Sequence, residues 1–196
     1  MTAIPEAIRQ GVRASLPEVA QIADAALRER VVEAWALALS HSEYARIEEI
    51  PASGNPGGPA LTRGTQADHI RGVTRLALAI ADTLEVQLGS LGLDRDLLLA
   101  AALCHDVGKP FEFSERNQAR WRSDPSAVGH PSMRHTLYGV YVTLTVGLPE
   151  AVAHVAGAHS PEGQFVTRSL ICTIVHQADY AFWNVLQSAG LLQPQP

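Results

Sequence analysis

The chain has 196 residues, which suits one domain, or one domain with an added arm. Hydrophobic residues make up 46% and charged residues 18%, enough to bury a full core and too apolar for a disordered chain. With 15 Lys plus Arg against 20 Asp plus Glu, the net charge of -5 gives no electrostatic reason to expect affinity for nucleic-acid polymers or anionic membranes, and leaves room for a local basic pocket holding one small anionic molecule.

Aromatic residues are only 6%, and Ala and Leu supply much of the apolar content, so helix is favoured over sheet. Cys104 and Cys172 both lie in apolar runs, which argues against a disulfide scaffold and for a reducing compartment. No run reaches the length of a membrane span, and the opening MTAIPEAIRQGVRASLPE lacks the apolar stretch of a signal peptide. The expectation is a soluble, cytoplasmic protein with no membrane partner.

In chain order, residues 17–50 carry a long helical pattern that opens at Pro17-Glu18 and runs through Leu27, Val31, Trp35 and Leu39, with a break near Ser40-His41-Ser42. The stretch PASGNPGGPA, 51–60, is a loop, either a linker or a lid over a site. Thr65 opens the next helix, with Asp68 as a capping-box acid and an apolar face of Ile70, Val73, Leu76, Ala77, Ile80 and Leu84. Asp94 caps RDLLLAAALC, a helix apolar on every side and therefore central in a bundle, with Gly108 as its expected C-cap. Residues 111–131 lack a clear period and read as loop. Helices follow over Ser132–Val146, Leu148–His159 and Val166–Ser188, and no segment alternates like a strand. The expected fold is all-α, with residues 1–60 as an N-terminal helical arm and loop and 61–190 as the helical domain. The arm's apolar side could pack on that domain or on a second copy, as a homodimer.

His105-Asp106-Val107-Gly108-Lys109 sets an imidazole beside a carboxylate at the exit of the apolar helix. Burying that carboxylate is costly unless a cation meets it; the alternative is that both residues cap the helix and face water. Asp179 lies on the stripe Ile171, Val175, Asp179, Phe182, Leu186, where it needs a metal, a buried Arg or a helix N-terminus as partner. His159 shares a face with Val152, Val155 and Ala156, whereas His154 lies roughly 140° around the helix. His69 and His135 each sit in the first turn of a helix, and Gly139 clears space one turn after His135. His130 precedes a proline in a loop, and His41 lies in a polar run that suggests solvation. Cys172 and His176 are one turn apart but have no second ligand pair nearby.

The order His69, His105-Asp106, His135, His159, Asp179 resembles the HD-domain superfamily of metal-dependent phosphohydrolases, over residues 65–186. The resemblance implies an HD-domain-like helical bundle in which His69, His105, Asp106 and Asp179 hold one divalent transition metal. Asp106 would bridge to a second ion bound by His135 and His159. Fe, Mn, Co, Ni and Zn all suit imidazole and carboxylate ligands, and one or two ions are compatible with the set. Such ions lower the pKa of a bound water and polarise a phosphoryl oxygen. Asp106 and Lys109 are the candidate catalytic residues; Lys109, Arg63 and Arg134 are the candidates for binding the anionic substrate. The chain has His159-Ser160 where many dinuclear members carry a His-His pair, which keeps His130 or His154 open as an alternative ligand. A GYP-type signature for cyclic dinucleotides is not evident.

Hydrolysis of a phosphate ester of a small molecule or nucleotide is thus the first expectation. Some HD-fold proteins with the same ligand types hold two irons and use O₂ to oxidise a polyol or an organophosphonate, which is the second. A non-catalytic metal- or nucleotide-binding module is the third.

Overall fold

The computed structural model describes residues 4–193, so Met1–Ala3 at the head of the N-terminal segment lie outside the described residues. Its α-helices are α1 (Glu6–Ser15), α2 (Ala25–Ser40), α3 (Gln66–Leu88), α4 (Arg95–Cys104), α5 (Lys109–Phe113), α6 (Glu115–Ser123), α7 (Pro125–Val128), α8 (His135–Thr145), α9 (Glu150–Ala158) and α10 (Leu170–Ser188).

The bundle is organised around α4. Asp94 caps its start, accepting from Leu97 N at 3.1 Å, and every residue from Leu98 to Cys104 is buried. A helix apolar on all sides needs neighbours on all sides, and α2, α3, α9 and α10 supply them. Two further contacts, α3 with α10 and α8 with α9, complete the layers on which the site is built. Gly139 of α8 lets its backbone approach α9 and the α4 exit, since a Cβ there would meet Ala156 Cβ at 3.3 Å and Val107 Cγ1 at 3.6 Å.

The N-terminal region is more broken than its periodicity suggests. Pro17 opens a 3₁₀ turn, Pro17–Gln21, and the long helix starts only at α2, where Asp24 accepts from Ala26 N and Leu27 N. The turn exists because Glu18 is buried and turned inward, with its carboxylate bonded by Arg71 at 3.2 Å and Arg75 at 2.8 Å. Trp35 Nε1 donates to Leu103 O at 2.9 Å, and Val12, Leu16, Val31 and Trp35 belong to the same contiguous core as Leu103 and Val152. Within this chain, the arm packs on the bundle.

Residues 111–131 are mostly helical, correcting the expectation of loop: α5, α6 and α7 fill this stretch. The period was hidden because α6 buries Asn117, Gln118 and Trp121, a face that is two-thirds polar. Those amides bond locally, Asn117 Nδ2 to Phe111 O and Gln118 Nε2 to Glu112 O. The expected C-cap Gly108 instead precedes α5 with φ -83°, and its lack of a Cβ serves another purpose, since a Cβ would lie 2.0 Å from His135 O. The last helix starts at Leu170, not Val166, with Ser169 as its cap.

Two short strands, β1 (Ala60–Leu61) and β2 (Leu192–Gln193), pair antiparallel and pin the end of the Gly/Pro-rich loop to the C-terminal segment. No helix of the described residues is long and apolar enough to cross a membrane.

Candidate metal centre

Helix ends bring the polar residues together. The first turn of α3, held by a reciprocal capping box between Thr65 and Asp68, presents Gln66 and His69. The exit of α4 delivers His105 and Asp106. The first turn of α8 carries His135, the residue after α9 is His159, and the middle of α10 carries Asp179. All six candidate ligands, His69, His105, Asp106, His135, His159 and Asp179, are buried.

Asp106 stands at the centre. His69 Nε2 and His105 Nε2 lie 3.1 and 3.4 Å from its Oδ2, and 3.2 Å from each other. On its other side, His135 Nε2 and His159 Nε2 lie 3.5 and 3.6 Å from Oδ1. Asp179 Oδ1 approaches His69 Nε2 at 3.4 Å without a hydrogen bond. Two ligand groups therefore share one carboxylate: His69, His105 and Asp106, and Asp106, His135 and His159.

Hydrogen bonding at the outer ring nitrogens tests whether these groups fit a cation. His105 Nδ1 lies 2.6 Å from Ala102 O, His159 Nδ1 3.1 and 3.2 Å from Val155 O and Ala156 O, and His135 Nδ1 2.5 Å from Glu112 Oε2. Those oxygens accept, so each Nδ1 carries a proton and each ring turns its Nε2 toward Asp106, as a lone pair whenever the ring is neutral. Lone pairs facing carboxylate oxygens in a buried space repel, and a cation between them removes the conflict. Imidazole nitrogen and carboxylate oxygen suit a divalent first-row metal. The donor set fits.

The electrostatics carry the same imprint. Burial works against a charged His105, but Asp106 and Asp179 outweigh it and raise its pKa. Burial pushes His69 and His135 down, in favour of the neutral, ligand-ready ring. Asp106 is pushed up by burial, yet Lys109 and the surrounding imidazoles hold it well below the ordinary carboxylate range.

A cavity of about 230 Å³ opens over this centre, lined among others by Asp106, Lys109, Arg134, His135, His159, Asp179 and Trp183. Lys109 is buried, with Nζ 3.1 Å from Asp106 Oδ2 and 2.5 Å from Ser53 O, so it joins the centre to the Gly/Pro-rich loop. Gly54 and Asn55 of that loop also line the cavity, as a covering segment would. Arg134 lines it between two carboxylates, Glu162 at 3.1 Å and Glu112 at 3.3 Å. Arg63 is exposed and lies outside the lining.

The other histidines fall elsewhere. His130 is exposed, and half-buried His154 accepts from Ser169 N at 3.2 Å through Nε2; among the described residues neither joins a ligand group. His41 is half-buried and bonded to the Tyr138 hydroxyl instead of solvated. Cys172 is buried and forms no ligand group with His176 among the described residues.

Two residues escaped the sequence reading. Gln66 Nε2 donates to Asp106 Oδ2 at 2.9 Å, and buried Glu112 holds His135 through both its ring and its backbone nitrogen. Gln66 is one ordinary polar residue in a helix first turn. Glu112 had only its position, six residues after Asp106 in a stretch without a visible period.

The HD-domain family model matches residues 67–181. The dihydroneopterin 2',3'-cyclic phosphate phosphodiesterase of Methanocaldococcus jannaschii is 31% identical over 139 residues, which is 69% of this chain and 52% of that protein. The chain thus spans about half the length of that relative. No solved structure is significantly similar to it. With the family model covering more than half of its residues, the chain belongs to the HD-domain superfamily.

Proposed function

We propose that the protein is a divalent-metal-dependent hydrolase of a small phosphate ester, with a cyclic phosphodiester as the first substrate class to test. The observation that carries this reading is Asp106, whose two carboxylate oxygens each face a pair of buried imidazoles at the floor of a cavity that also holds two cationic side chains. In this reading His69, His105, Asp106 and Asp179 hold one ion, and Asp106, His135 and His159 hold a second. Bound there, the ions supply a water of lowered pKa and polarise the phosphoryl oxygen under attack.

The chain's own residues do the rest. Lys109 uses two directions of its ammonium on Asp106 and Ser53 O, and an ammonium has a third N–H for a phosphoryl oxygen. Arg134, oriented by Glu112 and Glu162, offers guanidinium N–H groups at the cavity wall, where charge develops in the transition state. The loop residues Gly54 and Asn55 line the cavity on the side of Lys109. The relative's activity on a 2',3'-cyclic phosphate supports the choice of ester.

The test is hydrolysis of 2',3'-cyclic nucleoside phosphates and of simple phosphomonoesters by protein reconstituted separately with Mn, Co, Ni, Zn or Fe. Activity with at least one metal, lost on chelation and in Asp106→Ala, is the expected result. Absence of hydrolysis with every metal would overturn the proposal. Iron-dependent O₂ consumption with a polyol or phosphonate would replace it with the oxygenase reading.

A further inference from the structure

We infer that Arg168 and His176 are positioning residues that set His159 in the centre by capping the consecutive carbonyls of Ala158, His159 and Ser160. The inference rests on the reading of His159 as a metal ligand. Helix α9 is short, and the last carbonyls of any helix lack partners within it. The His159 ring itself engages Ala156 O and also Val155 O, which the His159 backbone N–H already bonds, and this fixes the ring relative to the final turn. What fixes the final turn relative to the rest of the protein is a different set of bonds.

Arg168 Nε donates to Ala158 O at 2.7 Å and its Nη2 donates to Ser160 O at 3.0 Å. One planar guanidinium thus spans the two carbonyls on either side of His159, which a lysine ammonium cannot do from one fixed position. His176 Nδ1 lies 2.5 Å from the carbonyl between them, His159 O, and donates to it. His176 sits three residues before Asp179 on α10, so this bond ties the helix that carries Asp179 to the residue that carries the opposite side of the centre. Neither Arg168 nor His176 lines the cavity.

The packing around Arg168 is specific. The turn Pro161–Phe165 folds back on the end of α9 so closely that a Cβ on Gly163 would lie 2.0 Å from Ala158 O and 2.8 Å from Arg168 Nη2. Only glycine leaves Ala158 O open to the guanidinium. A metal site tolerates little displacement of its donors, and loss of a residue that holds a ligand typically costs about 10–100-fold in affinity. A cap that served the fold alone would change stability and leave the affinities unchanged.

The experiment is titration of the full-length protein with Mn²⁺ alone, following free ion by electron paramagnetic resonance, beside thermal unfolding of the metal-free protein. His159→Ala defines the class of binding that depends on His159. Arg168→Ala and His176→Leu are expected to weaken that class about 10-fold or more and to leave the other class as in the wild type. His176→Asn, whose amide nitrogen can stand where Nδ1 donates, should restore it, and Arg168→Lys should fall between. The two His176 variants carry the comparison if Arg168→Ala does not fold. Wild-type affinity for both classes in Arg168→Ala and His176→Leu, with lowered melting temperature only, overturns the inference while the metal reading stands. A wild type that binds no Mn²⁺, or whose binding is untouched in His159→Ala, overturns the metal reading and this inference with it.

Discussion

The carboxylate of Glu112 lies 2.5 Å from Nδ1 of His135 and 3.0 Å from the backbone nitrogen of the same residue. One buried acid therefore does two things: it caps the start of α8, whose own N-cap residue Arg134 makes no side-chain cap, and it aims the imidazole at Asp106. Burial raises the Glu112 pKa, but His135 and Arg134 outweigh it and keep the group below the usual carboxylate value. An ionised acceptor at Nδ1 leaves Nε2 as the free lone pair.

Glu112→Gln removes that charge and lets the ring choose its other tautomer. Metal affinity on the His135 side is expected to fall about 10–100-fold, with α8 still formed because the amide oxygen can accept from His135 N. Mn²⁺ titration together with circular dichroism checks both halves. Unchanged affinity would remove Glu112 from the site.

Metal binding should release protons, and the sign follows from His105. Its pKa is raised: burial opposes the charge, and Asp106 and Asp179 more than compensate. Below that pKa the free protein carries a proton on His105 that a metal must displace, so affinity rises with pH up to it and levels off above. His69 and His135, lowered by burial, are neutral already and contribute no proton near neutrality. Calorimetry in two buffers of different ionisation enthalpy should show up to about one proton released per chain near neutral pH. Proton uptake would contradict the assignment.

Lys109→Met keeps an unbranched chain and deletes the ammonium, whose nitrogen lies 5.6 Å and 5.9 Å from the ring centres of Phe113 and Trp183. The Ser53 carbonyl loses its donor, the Gly/Pro-rich loop loses its link to Asp106, and in the proposed reaction the phosphoryl group loses a cation. We expect kcat to drop about 100-fold or more, with metal binding retained. Steady-state kinetics on a 2',3'-cyclic nucleoside phosphate, beside Mn²⁺ titration, separates the two effects. Loss of metal binding together with turnover would make Lys109 part of the metal site's structure.

Gly108→Ala probes packing instead of chemistry. The new Cβ would meet His135 O at 2.0 Å and Gly139 N at 2.8 Å, both backbone atoms that cannot turn aside. The α4 exit and the first turn of α8 would have to separate, at a cost of about 3 kcal/mol. Thermal or urea unfolding measures it, and a change below about 0.5 kcal/mol would mean that the two segments shift easily.

Several features are legible in the order of residues alone. The all-apolar helix ending in His105-Asp106 is legible because a segment without a polar face has only one place to go, and because two polar residues at its exit must then meet something. His69, His159 and Asp179 were visible through their positions beside or within apolar stripes. The start of α2, the helices of 111–131 and the role of Gly108 were not. A buried Glu18 and the close approach at Gly108 depend on partners far away in the chain, and the amide-lined face of α6 removes the apolar period by which a helix is read.

By itself, the sequence determined the helical class, the central helix and the set of histidines and aspartates, since apolar periodicity and unpartnered polar residues are local properties. Only the tertiary structure decided that Asp106 faces a different histidine pair with each oxygen, that Glu112 and Gln66 join the network, and that Lys109 straps the loop to the centre. Those facts are distances between segments up to 56 residues apart, produced by helices crossing around α4, and a linear pattern of residues carries no record of such distances.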